Sequence, residues 1–155
     1  MTKETIKAYW QKFLSTLPKD SPMRSKTYYE GGYGDSPALA DELVQLILIG
    51  KKTASCSSLW EHEAEGEPPH KVGDIWVELD GSGNPICITE TIEVTFRKYN
   101  EVDAQFGYDE GEGDQSLQYW REAHKNYFSR ILPKIGREFS EDMPLVCERF
   151  RVIHR

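Results

Sequence analysis

The sequence predicts an α+β fold, a small curled sheet flanked by helices within one domain. Two patterns carry this expectation. Helical spacing of apolar residues occurs in three separated stretches (4–17, 36–50 and 115–132), whereas period-two alternation and β-branched residues fill the stretches between and after them. The run Ile86 to Arg97 is also longer than most strands, and strands of that length bend when a sheet curls into a barrel. At 155 residues, with no internal repeat and no linker-like composition, the chain reads as a single domain able to bury a core without staples.

Taken in order, Ile6, Tyr9, Trp10, Phe13, Leu14 and Leu17 form the apolar stripe of a helix that Pro18 stops. Residues 18–35 are turn-rich and contain Gly31-Gly32-Tyr33-Gly34. They read as a connecting loop, although glycines interleaved with a tyrosine also suit the mouth of a ligand site. Residues 1–35 thus form an N-terminal extension of helix and loop, and 36–155 the core. Asp35-Ser36-Pro37 opens the second helix, with Ser36 as N-cap and Pro37 at the first helical position. Leu39, Leu43, Val44, Leu46 and Ile47 supply its apolar face, and Gly50 closes it.

The stretch that follows, Lys51-Lys52-Thr53-Ala54-Ser55-Cys56-Ser57-Ser58, is the chemical centre of the chain. Strand alternation puts Lys52, Ala54 and Cys56 on one face and Thr53, Ser55 and Ser57 on the other. At the twisted exit from a helix, however, Lys52 and Ser55 can reach one cleft. A lysine beside a hydroxyl is either a base next to a nucleophile or a cation that grips phosphate. The plain alternative is a helix C-cap whose lysines complement the helix dipole.

Leu59 to His70 alternates carboxylates with His62 and His70, but the spacing fits no zinc motif and reads as a solvated acidic loop. Trp60, at the strand end, is a candidate stacking platform. Ile75 to Leu79 is a strand, 80–85 a hairpin loop, and Ile86 to Arg97 the long bending strand. The acidic patch Asp109-Glu110-Gly111-Glu112-Gly113-Asp114 precedes a helix from about Gln115 to Leu132, where acidic residues suit the N-terminal dipole. On that helix Leu117, Trp120, Arg121, His124 and Phe128 share a face, and Arg121 and His124 need partners if buried. Met143 to His154 alternates into a closing strand with Arg149 and Arg151 on one side.

The formal charge is −7. Indiscriminate grip on duplex nucleic acid depends on many cationic phosphate contacts, so this balance speaks against it and favours a small ligand or a few nucleotides. No window is long and apolar enough to span a membrane, and the N-terminus lacks an apolar signal region. Cys56, Cys87 and Cys147 are odd in number and widely spaced, as in free thiols of a reducing cytoplasm, so the expected location is cytoplasmic.

With these pieces placed, the chain resembles the ASCH family of the PUA-like superfamily, in its longer-chain branch. The residues that carry the likeness are Gly50-Lys51-Lys52-Thr53-Ala54-Ser55, matching a G-x-K-x-x-[S/T] pattern, then Gly73-Asp74 and Cys87-Ile88-Thr89-Glu90-Thr91-Ile92-Glu93-Val94. Glu110-Gly111-Glu112-Gly113-Asp114, followed by Trp120-Arg121 and His124, completes the set. The resemblance implies a β-barrel with helices at one end and a cleft that binds RNA or nucleosides. Some small relatives are metal-independent amidohydrolases that deacetylate N4-acetylcytidine through a lysine, a threonine and a glutamate. On that pattern the lysine is Lys52, the hydroxyl Ser55, and the glutamate either Glu110 or Glu112. The present chain differs from those hydrolases in carrying Ser at the hydroxyl position, Ser57 where they carry Arg, and about half as many residues again.

Two functions follow as expectations. In the enzymatic one, Ser55 attacks an amide of an acylated nucleoside, Lys52 with a lowered pKa takes its proton, and Glu110 or Glu112 orients the lysine or protonates the leaving amine. Trp60 or Tyr33 stacks on the base, and neither metal nor organic cofactor is required. In the other, the same cleft binds a short single-stranded RNA through Lys52, Arg121, His124 and Arg149, without chemistry. A ribonuclease lies between them. The protonation state of Lys52 discriminates, because a base must be partly neutral near pH 7.

Overall fold

The computed structural model describes residues 3–155, with side chains from residue 5 onward. Helix α1 (Lys3–Ser15) lays Ile6, Trp10, Phe13 and Leu14 against Ile75, Val77 and Ile88 of the sheet. Each large side chain withdrawn from water in this way contributes ~1.5–3 kcal/mol. Helix α2 (Pro37–Leu48) begins as the sequence indicates. The Ser36 hydroxyl accepts from the Leu39 amide at 3.2 Å, and Gly50, at φ 81°, lets the chain turn back into a strand.

Five strands form one curled half-barrel: β1 (Tyr29–Gly31), β2 (Ala54–Ser58), β3 (Ile75–Leu79), β4 (Pro85–Lys98) and β5 (Pro144–His154), in the order β1-β3-β4-β5-β2. β1 runs parallel to β3, and every other pairing is antiparallel. The expected curl comes from the two long strands. Their ladder shifts register between Ile88 and Thr89 and again between Thr91 and Glu93, and such bulges bend and twist a strand pair. As a result β2, which follows α2 in the chain, docks on the far edge of β5, with Ser55 opposite Glu148 and Ser57 opposite Val146.

Two local expectations are corrected. Residues 18–35 contain an edge strand, β1, because its partner β3 is supplied from more than forty residues downstream. Leu59 to Glu65 is a helix, α3, and not a solvated loop. Ser58 caps its start by accepting from the Trp60 amide, and Gly66 ends it at φ 68°. Leading into the acidic patch, Ala104–Asp109 forms a further short helix, α4, capped by Asp103. Helix α5 (Leu117–Ile131) then places Trp120, Phe128 and Ile131 in the main core with Tyr99, Phe106, Leu132, Met143 and Leu145.

Candidate functional site

A cavity of about 630 Å³ opens between β2, α5, the Glu30–Gly34 segment and the end of α3. Lys52 lies in its wall and is nearly solvent-free, at 2% exposure. The residue sits just past the Gly50 turn, and its ammonium is gripped by chain that arrives about sixty residues later. Nζ donates to Glu110 Oε1 at 3.1 Å, to Glu112 Oε2 at 3.1 Å and to the Glu110 carbonyl at 3.4 Å. Gly111 makes this possible. At φ 74°, it lets Glu110 and Glu112 converge on one cation, and a Cβ there would lie 2.4 Å from the Lys51 carbonyl oxygen.

Glu110 is the hub of the cluster. Its other oxygen accepts from the Trp120 indole N–H and lies 3.4 Å from His124 Nε2. His124 stacks on Trp120 at 4.2 Å, and its Nδ1 is 2.8 Å from the Trp120 carbonyl, which fixes that nitrogen as the donor. Burial opposes charge on Glu110, but the adjacent His124 and Lys52 outweigh it and hold its pKa below the ordinary range. Burial likewise opposes charge on Lys52, and Glu110 and Glu112 reverse this, so its pKa stands above the usual lysine value. The expectation of a lysine with a lowered pKa is therefore corrected: Lys52 is a cation held by two carboxylates.

Cys56, Glu110 and His124 place ligand atoms within 4.8 Å of one another. A metal there would compete with the Lys52 ammonium and the Trp120 N–H for Glu110. It would also need a thiolate from Cys56, whose pKa burial and then Glu110 raise well above the ordinary value. The donor set is organised around the lysine.

A second polar group lines the same cavity. Ser57 Oγ lies 2.8 Å from His62 Nε2, and His70 Nδ1 lies 2.6 Å from Glu148 Oε2. The two imidazoles meet edge to face at 5.6 Å. Deeper in, Thr89 and Tyr33 hydroxyls donate to Glu78 Oε1 at 2.7 and 3.3 Å. Burial drives the Glu78 pKa up to about 7, and its Oε2 has no hydrogen-bond partner among the described residues.

The sequence-derived residues divide cleanly. Lys52, Ser55, Glu110, Glu112, Tyr33 and His124 line the cavity together. Three others do not. Trp60 packs on the main core beneath the Arg137 guanidinium, 4.7 Å from its ring. Arg121 is exposed and borders a separate depression with Tyr99 and Glu141. Arg149 is bound on the outer face to Glu93 at 3.0 Å and Asp109 at 2.5 Å. Ser57, His62, His70, Glu148 and the α5 tyrosines Tyr119 and Tyr127 are lining residues that the sequence reading did not select. One local signal was available for the first pair. A strand that passes directly into a helix has one serine to spare before the capping serine, and His62 then falls one turn into that helix.

The ASCH domain family model matches residues 30–154. The crystal structure of an ASCH domain from Lactobacillus crispatus JV V101 is 36% identical, covers 99% of this chain and 97% of its own, and superposes with a TM-score of 0.93. A crystal structure of a protein from Enterococcus faecalis V583 is 33% identical, with coverage of 99% and 90% and a TM-score of 0.86. A comparison with curated proteins finds no match.

Proposed function

Because the chain belongs to the ASCH domain family, whose members are commonly associated with RNA binding, we propose that its cleft binds a nucleoside, free or at the end of a short single strand, and hydrolyses an acyl amide on that nucleoside. The observation that carries this reading is the solvent-free Lys52 ammonium, clamped by Glu110 and Glu112 in the wall of a cavity of about 630 Å³. Strongly perturbed ionisable groups converging in a cleft are the usual mark of a reactive site.

Charge selects the ligand class. The cavity wall carries Glu30, Glu65, Glu67, Glu112, Glu122 and Glu148, against Lys52 and an Arg130 that Asp35 already binds. Phosphates are repelled by such a wall, while a neutral nucleoside is not. Tyr33, Tyr119 and Tyr127 offer aromatic faces on which a base can stack. In this reading Lys52 does not remove a proton. Glu110 and Glu112 keep it charged, and when a ligand N–H takes over Glu112, the less buried of the two, one ammonium N–H is released to the oxyanion that develops on the amide oxygen. The family pattern assigns the attacking hydroxyl to Ser55, which faces the cavity from β2.

Chromatographic assay of N4-acetylcytidine and related acyl nucleosides tests the proposal, with wild type beside Lys52→Met and Glu112→Gln. Turnover that drops about 100-fold or more in both variants is expected, the usual loss when one oxyanion contact is removed. A folded wild type that turns over no acyl nucleoside, yet binds short single-stranded RNA with strong salt dependence, would replace this reading with a non-catalytic RNA module. Cleavage of the strand would point to a ribonuclease.

A further inference from the structure

Hydrolysis needs a nucleophile with a base, and Ser55 lacks one. Its designated base, Lys52, is held protonated, and the Ser55 hydroxyl has no hydrogen-bond partner among the described residues. Two residues along the same strand face, Ser57 Oγ lies 2.8 Å from His62 Nε2, and both residues line the cavity that contains Lys52. We propose that Ser57 is the nucleophile of this cleft and His62 its general base, an assignment that rests on the acyl-hydrolysis reading above.

The local fold explains why the pair exists. β2 passes into α3 without an intervening loop, and Ser58 supplies the cap for the new helix. The Ser57 hydroxyl is therefore not consumed by backbone, and the first turns of α3 carry His62 back over it. A surface serine bonded to a nearby histidine is unremarkable by itself. Here both are half-buried, both face the cavity, and a second histidine backs the first.

That second histidine sets the protonation states. Burial, and then the hydrogen bond to Glu148, act in opposite senses on His70, and the carboxylate prevails and raises its pKa. Burial, and then the charge of His70, lower the pKa of His62, against the weaker upward pull of Glu65, Glu148 and Glu67. The two imidazoles are thus pushed apart, with His62 neutral where His70 is charged. Divergent environments of this kind separate a base from its neighbour. His70 and Glu148 are positioning residues.

The chemistry balances with water as co-reactant. The Ser57 Oγ lone pair forms a bond to the acyl carbon while its proton passes to His62 Nε2, and the carbonyl π pair moves onto oxygen. The carbonyl re-forms as the C–N bond breaks, and the amine leaves with the proton from His62. Water then attacks the acyl-serine, giving one proton to His62, which returns it to Ser57 Oγ as the carboxylic acid departs. The net change is amide plus water to acid plus amine.

The test is covalent labelling of the whole protein with a neutral alkyl fluorophosphonate, the modified peptide being mapped by mass spectrometry. The expected result is an adduct on Ser57, with a rate at least tenfold lower in His62→Gln that exogenous imidazole partly restores, and a rate that falls as His62 is protonated at acid pH. An adduct on Ser55, or none on folded protein, overturns the assignment. Acyl-nucleoside turnover measured in parallel separates the two proposals. Turnover that survives Ser57→Ala rejects Ser57 and leaves the hydrolase reading standing. Ser57 labelling without turnover of any acyl nucleoside supports the dyad and rejects that substrate.

Discussion

Lys52 Nζ and Glu110 Oε1 lie 3.1 Å apart with 1% and 2% of their side chains exposed, which makes them a buried ion pair built from residues 58 positions apart. Desolvating two charges is costly, and the pair is tolerated because Glu112, Trp120 and His124 occupy the remaining donors and acceptors. Its worth shows when one partner is removed.

Lys52→Met should destabilise the fold by about 3–5 kcal/mol, because Glu110 is left buried without its cation. Lys52→Met combined with Glu110→Gln should recover part of that loss. Urea unfolding of the single and double variants checks this, and additive losses would mean that the two residues do not act as a pair.

Glu78 gives the pH dependence a definite sign. Its folded pKa, about 7, exceeds the ordinary glutamate value of 4.5, so between those values the native state binds more protons than the unfolded one, and stability declines as pH rises through this window. Glu78→Gln, which stays neutral, should therefore gain about 3 kcal/mol on wild type between pH 4 and pH 8. Denaturant midpoints at the two pH values provide the comparison. An offset that does not change with pH rejects the explanation.

Gly111→Ala should be among the most damaging small substitutions. It demands positive φ of a residue with a side chain and drives its Cβ to 2.4 Å from the Lys51 carbonyl oxygen. A cost of about 2 kcal/mol or more is expected in thermal unfolding, together with loss of ligand binding, since Glu110 and Glu112 flank it. Wild-type affinity in this variant would show that the two carboxylates reach Lys52 without the tight turn.

Arg121→Ala should leave nucleoside affinity within about twofold of wild type, as its side chain is exposed and outside the cavity. Calorimetric titration with the same ligand in both proteins decides it. A tenfold loss would place Arg121 in the site after all.

Several features of the fold are written in short windows. Ser36-Pro37 and Gly50 bound α2, the apolar stripe of residues 6–14 marks α1, and the length of the Ile86 stretch announces the bend. The helix over Leu59–Glu65 is not legible in its own window, because its carboxylates resemble a solvated loop and its ends are defined by caps and not by an apolar face. β1 has no local signature, because its three residues gain strand geometry only from a partner elsewhere in the chain.

The site follows the same division. Sequence alone determined the family pattern, the lysine after Gly50 and the acidic patch, because those depend on residue type and local order. The tertiary structure alone decided that Glu110 and Glu112 together grip Lys52, that Arg121, Arg149 and Trp60 lie outside the cavity, and that Ser57 has His62 beside it. It also decided the charge of Lys52. Burial and a nearby carboxylate push a lysine's pKa in opposite directions, and which one prevails depends on distances across the fold that no local pattern encodes.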